Sequence, residues 1–385
     1  MDVSPRHSPA DANDPFRVMV VDDSAVIRGL LTRALEGDPG IVVVSSVGDG
    51  QMAVNALQRH AVDVIVLDIE MPVMDGLTAI PKLLAVDPTV RIIMASTLTL
   101  RGAEVSLKAL QLGAADYVPK PTTTRAISAA DDFKRDLVEK VKALAVSARA
   151  AGSAKRHSGR AAGPRAATTF LPASKLPTAA KVVTLRPLPM PVSRPDVIAI
   201  GSSTGGPQAL FTVLGHLKDV PQPILITQHM PATFTTILAE HIQRQCGLAC
   251  AEAKDGEPVT GQRVYVAPGD FHMLVSNRDG RPVIQLTKDP PENFCRPAVD
   301  PMLRSIVQHY GRRVLATVLT GMGQDGMRGC EVVASGGGVV VAQDEASSVV
   351  WGMPGAVATA GHANKVLPLT EIGPYLRKAA LGAMA

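Results

Sequence analysis

No stretch of the 385 residues approaches the roughly 20 consecutive apolar positions of a membrane-spanning helix, so direct insertion into a bilayer is not expected. Asp2 and several prolines precede the first apolar run, which is not the pattern of a secretory leader, and a cytoplasmic protein is expected. Cysteine is sparse. The four thiols, at 246, 250, 295 and 330, form no C-x-x-C pair, which argues against both a disulfide framework and a zinc site. Even Cys295, whose neighbour Arg296 would lower a thiol pKa, is read as an ordinary structural cysteine. Acid is missing from one region: residues 145–195 hold nine Lys or Arg and no Asp or Glu, so the net charge of +4 conceals a remainder at −5. A basic stretch of this kind could meet acidic protein or nucleic acid, but a solvated linker is the default. There is also no recognisable helix-turn-helix, and the 201–206 turn has no lysine at the Walker position.

What is present suffices for two cores. With 46% hydrophobic residues, the chain reads as one unit over 15–138, a helix end and flexible linker over 139–194, and a second unit over 195–385. Residues 1–15 are a loose polar lead-in. The linker is rich in Ala, Pro, Gly, Ser and Arg, and Pro187, Pro189, Pro191 and Pro195 oppose a long ordered element. The helix before it is expected to end near Ala148, and the 182–185 stretch is the part expected to dock locally.

From Phe16 onward, strand and helix signals alternate through five βα repeats, which argues for a parallel sheet with helices on both faces. The first strand runs into Asp22 and Asp23, and the third into Asp68. A parallel sheet would gather these three carboxylates at one edge, an arrangement too repulsive to stand alone but suited to Mg²⁺. Lys120 after the fifth strand could pair with a carboxylate or an added phosphoryl group, and Ser96 after the fourth could donate to the same oxygen. On the residues alone, a metal site and an acidic pocket with a structural lysine remain equally open. Residues 15 to about 130 resemble the receiver domain of two-component response regulators. The resemblance implies a flavodoxin-like (βα)5 fold, a metal site of Asp22, Asp23 and Asp68, and a Mg²⁺-assisted phosphorylation of Asp68 by a histidine kinase. It also implies a switch formed by Ser96, Tyr117 and Lys120.

The second unit opens with an apolar strand, 196–200, delivering Gly201-Ser202-Ser203-Thr204-Gly205-Gly206-Pro207. Gly201, Ser203 and Gly205 fit the G-x-S-x-G spacing, whose small neighbours permit a sharp turn that exposes the central hydroxyl. Ser203 is thus the candidate nucleophile, although such turns also bind phosphate or only close a turn. A serine needs a base and a group that orients it. His229 ends a strand near 223–227, and Asp325 lies in a glycine-rich loop after the strand 314–319. The expected geometry has Asp325 accept from His229 Nδ1, leaving Nε2 for Ser203, with the Met322 N–H as oxyanion donor. A carboxylate capping the helix that starts near Met327 is the competing role for Asp325. Arg296, in the proline-rich stretch 289–297, is a candidate substrate contact or else a loop ion pair. His272 is read as framework in a hairpin expected to run antiparallel to the main sheet.

The order serine, histidine, acid is not that of α/β-hydrolases. Residues 195 to about 380 instead resemble the catalytic domain of the chemotaxis protein-glutamate methylesterase family, through the 201–207 turn, Gln228-His229-Met230-Pro231, Ala267-Pro268-Gly269 and 319–326. The resemblance implies a doubly wound, mostly parallel α/β domain and the triad Ser203, His229 and Asp325, with Ser202 not the nucleophile. It implies demethylation of glutamate methyl esters, and deamidation of glutamines, on methyl-accepting chemoreceptors, with no cofactor for hydrolysis. The protein would work at chemoreceptor arrays as a monomer, without nucleic acid. The alternatives are a receiver-controlled adaptor that binds receptors without hydrolysis, and a DNA-binding regulator.

Overall fold

The computed structural model describes residues 14–97, 99–120, 127–158, 183–189 and 194–382. In the N-terminal half, apolar runs with little or no exposure become strands, and each is followed by a helix. The order is β1 (Phe16–Val21), α1 (Ala25–Glu36), β2 (Ile41–Val47), α2 (Gly50–Leu57), β3 (Val64–Asp68), α3 (Gly76–Val86), β4 (Arg91–Ser96), α4 (Leu100–Gln111), β5 (Asp116–Pro119) and α5 (Ile127–Ser158). All pairings are parallel, in the order β2-β1-β3-β4-β5. Ser24, Asp49, Asp75 and Thr99 each cap the helix that follows by accepting a backbone N–H, which explains why α1 to α4 start where they do. The helix α5 runs to Ser158 instead of ending near Ala148, so its end lies ten residues further into the segment expected to hold it. Four of the seven residues from Ala148 to Ala154 are alanine, the strongest helix former, and no proline interrupts the run.

The C-terminal half contains β6 (Val197–Ser202), α6 (Gly206–Leu214), β7 (Ile224–Gln228), α7 (Ala232–Cys246), β8 (Ala249–Glu252), β9 (Arg263–Val266), β10 (His272–Arg278) and β11 (Arg281–Thr287). It continues through α8 (Val299–Tyr310), β12 (Val314–Val318), α9 (Met327–Ser335), β13 (Val339–Gln343), α10 (Met353–Thr359), β14 (Lys365–Leu367) and α11 (Leu369–Ala380). Seven strands form a parallel sheet in the order β14-β13-β12-β6-β7-β9-β8. The expected hairpin exists, but β10 and β11 form a separate two-stranded sheet packed on α8, and β11 is bridged at Val283 by Pro258.

Within the seven-stranded sheet, β6 is central: the chain moves from it to β7 on one side and places β12 on the other. A crevice opens outside the carboxyl ends of strands at such a reversal. The turns after β6, β7 and β12 carry Ser203, His229 and Asp325.

Of the region between the halves, residues 183–189 are described, and they dock on the C-terminal half. The Arg186 N–H donates to Ala363 O at 2.8 Å, Asn364 Nδ2 donates to Pro187 O at 2.9 Å, and Leu188 packs on the core. Docking thus centres on 186–188, while Val182 of the expected stretch, Phe170, Pro191 and the lead-in 1–13 lie outside the described residues. Among the described residues, no helix is long and apolar enough to cross a membrane.

Candidate active site

The turn after β6 is built by close packing. Gly205 has φ +76, and a Cβ there would come within 2.6 Å of Val349, so only glycine fits both the backbone and the space. Ser202 is fully buried, with its hydroxyl donating to Gln228 Oε1 at 2.6 Å, and Gln228 Nε2 donates to Ser203 O at 2.9 Å. That leaves Ser203 as the half-exposed hydroxyl of the pair.

His229 Nε2 lies 2.8 Å from Asp325 Oδ2, joining the ends of β7 and β12. The nitrogen is not the expected one: Nε2, not Nδ1, meets the acid, and Nδ1 faces Cys295 Sγ at 3.4 Å. The two ring nitrogens therefore exchange roles, with Nε2–H donating to Asp325 and Nδ1 left as the basic atom. The cause is the rim segment, which puts Cys295 on the opposite side of the ring from Asp325. Among the described residues, Ser203 Oγ has no hydrogen bond to the ring. Burial pulls the His229 pKa down, but the Cys295 sulfur and the Asp325 carboxylate outweigh it and lift it to about 10.

Asp325 is 1% exposed and caps α8, not the helix after it. Its Oδ2 accepts from the Val299 N–H at 2.6 Å and its Oδ1 from the Asp300 N–H at 3.1 Å, while α9 starts at Gly326 without a side-chain cap. Burial raises the Asp325 pKa, but the hydrogen bond and charge of His229, with those two N–H groups, hold it below the usual carboxylate range. Oδ1 also accepts from the Gly326 N–H and from Asn293 Nδ2, both at 3.0 Å. Sequence reasoning missed Asn293 and did not connect Cys295 to the histidine. Both lie far from the motifs, in a loop whose only visible feature is proline.

Among the described residues, the half-buried Met322 N–H has no backbone acceptor, as an oxyanion donor requires, and neither does the Thr204 N–H. Arg296 is turned into its own loop: Nη1 donates to Lys288 O at 3.2 Å and Asp289 O at 3.1 Å, and no loop carboxylate pairs with it. His272 ties that loop down, with Nε2 at 3.1 Å from Pro290 O and Nδ1 accepting from the Ala298 N–H.

At the edge of the other sheet, Lys120 Nζ lies 2.8 Å from Asp22 Oδ2 and 2.7 Å from Asp68 Oδ2. Burial raises the Asp68 pKa against the opposing pull of Lys120. The Asp22, Asp23 and Asp68 oxygens lie within 4.8 Å of one another, and the buried Asp22 Oδ2 has no aligned hydrogen bond, so a hard divalent cation fits this set. Ser96 Oγ turns away and donates to Gly102 O at 3.1 Å.

The two halves meet at the turn that carries Ser203. Thr204 Oγ1 donates to Asp116 Oδ2 at 2.6 Å, and Gln208 Nε2 donates to Leu110 O and Ala114 O, both at 2.9 Å. Tyr117 is buried and stacks on Phe234, with ring centroids 4.3 Å apart and planes 11° from parallel. A stack of this kind is worth ~0.5–1.5 kcal/mol beyond the area it buries. Lys140 Nζ of α5 donates to Tyr117 O at 2.7 Å, which fixes β5 from behind.

A doubly wound α/β domain with a serine turn, an imidazole and a buried carboxylate at its switch point, docked under a receiver domain, defines a response regulator whose output is a hydrolase. Residues 18–130 match the response regulator receiver domain, and residues 198–376 match the CheB methylesterase family. The chain is 70% identical over 375 residues to a protein-glutamate methylesterase/protein-glutamine glutaminase of Azospirillum brasilense, covering 96% of this chain and 94% of that one. It is 66% identical over 378 residues to the enzyme so named, of the group 2 operon, from Rhodospirillum centenum, covering 97% and 96%. The solved catalytic domain of Thermotoga maritima CheB methylesterase is 41% identical, with TM-score 0.47, and covers 48% of this chain and 99% of that one. The chain belongs to the family of receiver-regulated protein-glutamate methylesterase/protein-glutamine glutaminases.

Proposed function

We propose that Ser203, His229 and Asp325 hydrolyse the methyl esters of glutamate side chains on methyl-accepting chemotaxis receptors, and by the same steps deamidate glutamines. The observation that carries this reading is the meeting of His229 Nε2 with Asp325 Oδ2 beside the Ser203 turn. With Nε2–H donated to Asp325, His229 Nδ1 takes the Ser203 proton as Oγ attacks the ester carbonyl. The Met322 N–H faces the developing oxyanion, His229 returns the proton to the departing methoxide, and water then cleaves the acyl-serine by the same route. For Nδ1 to reach Ser203, the imidazole must leave Cys295.

The units in this reading are a receiver over 15–138, a helix end and linker over 139–194, and a catalytic domain over 195–385. A histidine kinase is the phosphodonor and Asp68 the acceptor, with Lys120, Ser96 and Tyr117 as the switch. Asp22, Asp23 and Asp68 would hold a Mg²⁺, which supplies charge neutralisation for phosphoryl transfer. Undocking of the receiver from Thr204, Gln208 and Phe234 frees the turn. Arg296 would shape the rim through its carbonyl contacts. The enzyme would act at receptor arrays on the cytoplasmic side.

Methanol release from methylated receptor, with and without a small phosphodonor and Mg²⁺, tests both halves. The expected result is stimulation in the unsubstituted chain, none in Asp68→Ala, and near-complete loss in Ser203→Ala. Equal rates with and without phosphodonor would overturn the gating, and a retained rate in Ser203→Ala would overturn the nucleophile.

A further inference from the structure

We propose that Asn293 is a positioning residue for the hydrolase: its side-chain amide bridges two buried carboxylates that otherwise repel, and so keeps Asp325 ionised and aimed at His229. The inference rests on Asp325 being the triad acid. Asn293 Nδ2 donates one hydrogen to Asp325 Oδ1 at 3.0 Å and the other to Asp300 Oδ2 at 3.1 Å, and both acids are 1% exposed. Two carboxylates that share a buried site cannot both ionise unless something compensates. A neutral group with two hydrogens on one nitrogen suits that task without adding a charge that would compete with His229.

The local backbone is shaped to deliver this amide. Glu292 and Cys295 exchange backbone hydrogen bonds at 3.1 and 2.9 Å, closing a tight turn in which Asn293 and Phe294 have φ +51 and +63. Asn tolerates that left-handed conformation better than most residues. The turn aims Asn293 inward and leaves Phe294 87% exposed, where the Arg135 guanidinium of α5 lies 5.2 Å over its ring. The titratable and charged groups around the pair are His229 after β7, Cys295 and Glu292 on the rim, Arg304 on α8 and Cys330 on α9. Burial and then the Asp325 charge raise the Asp300 pKa, while the Gly329 N–H and the Asn293 amide oppose them.

The test is kcat and KM for methanol release by the full-length, phosphodonor-activated chain across about pH 5 to 9, with Ser203→Ala alongside. Asn293→Ala should lower kcat roughly 10- to 100-fold with KM little changed, as loss of a partner behind a functional group commonly does. Its deficit relative to wild type should deepen as pH falls, because the unbridged pair takes up a proton at higher pH. Asn293→Asp should show the opposite trend. Its deficit should be largest at alkaline pH and shrink on acidification, as the new carboxyl gains an O–H to donate. Wild-type kcat in both variants, or equal deficits at every pH, would overturn the proposal while Ser203→Ala remains inactive. Methanol release retained in Ser203→Ala would instead remove the triad reading beneath it. If Asn293→Ala does not fold by circular dichroism, Asn293→Asp, which conserves size, and Asn293→Gln decide the question by the same pH ratio.

Discussion

At the end of β3 the Lys120 ammonium already touches both Asp22 and Asp68, whereas at the end of β6 the Ser203 hydroxyl has no base bonded to it. The acidic pocket already has its lysine in place, with Lys120 paired to two of the three carboxylates that would hold a Mg²⁺. The hydrolase has its acid and its imidazole joined, but the imidazole's free nitrogen faces a thiol, and the nucleophile turn is tied to β5 through Thr204. One half of the molecule thus has its polar groups joined, while the other leaves its serine apart from the imidazole. What occupies the imidazole's free nitrogen is Cys295, from the same half of the molecule.

The comparison breaks most sharply at Asp325. Asp325→Asn should lower kcat by about 10⁴, by analogy with the loss of orientation and charge behind a triad histidine, while phosphorylation of Asp68 proceeds unchanged. A stopped-assay measure of methanol alongside phosphoprotein yield checks both, and loss of phosphorylation would show that the two sites are not separable. Gln208→Ala removes two hydrogen bonds from the interface at ~0.5–1.5 kcal/mol each, so the unstimulated rate should rise by roughly 5- to 100-fold and the phosphodonor effect should shrink. An unchanged basal rate would show that docking does not restrain the site. The smallest effect concerns pH. Because the Cys295 sulfur helps raise the His229 pKa, free imidazole becomes available only as pH rises. Cys295→Ala should move the acidic limb of the kcat/KM profile to lower pH, by something on the order of one unit. A limb that stays in place, or moves up, would contradict the contact.

The fold and the principal candidates were legible for a physical reason. Buried parallel strands read as uninterrupted apolar runs, and a polar residue that ends one must lie at the sheet's carboxyl edge, as Asp22, Asp68, Ser203 and His229 do. Which ring nitrogen meets Asp325 could not be read, because it depends on Cys295, brought across from a loop 66 positions away. Asn293 was equally hidden: nothing local distinguishes an asparagine that bridges two acids from one that closes a turn. For Arg296 the sequence left a substrate contact and a loop role open, and the structure shows its Nη1 bonded to backbone carbonyls of its own loop. The prolines from 187 onward argued against order, and they were a poor guide to 186–188, where docking needs only one N–H and two carbonyls facing Asn364 and Ala363.

The stack of Tyr117 on Phe234 has a reciprocal side. Energy that ties an aromatic ring of the signal-receiving half into its neighbour favours whichever shape of that half presents the ring so. On the proposed gating, linkage requires the hydrolase domain to resist acquisition of the phosphoryl group by the same factor with which the phosphoryl group would loosen the hydrolase domain. On that reading the output half would inhibit its own activation, and a phenyl ring on α7 would help set the sensitivity of the whole chain to its phosphodonor.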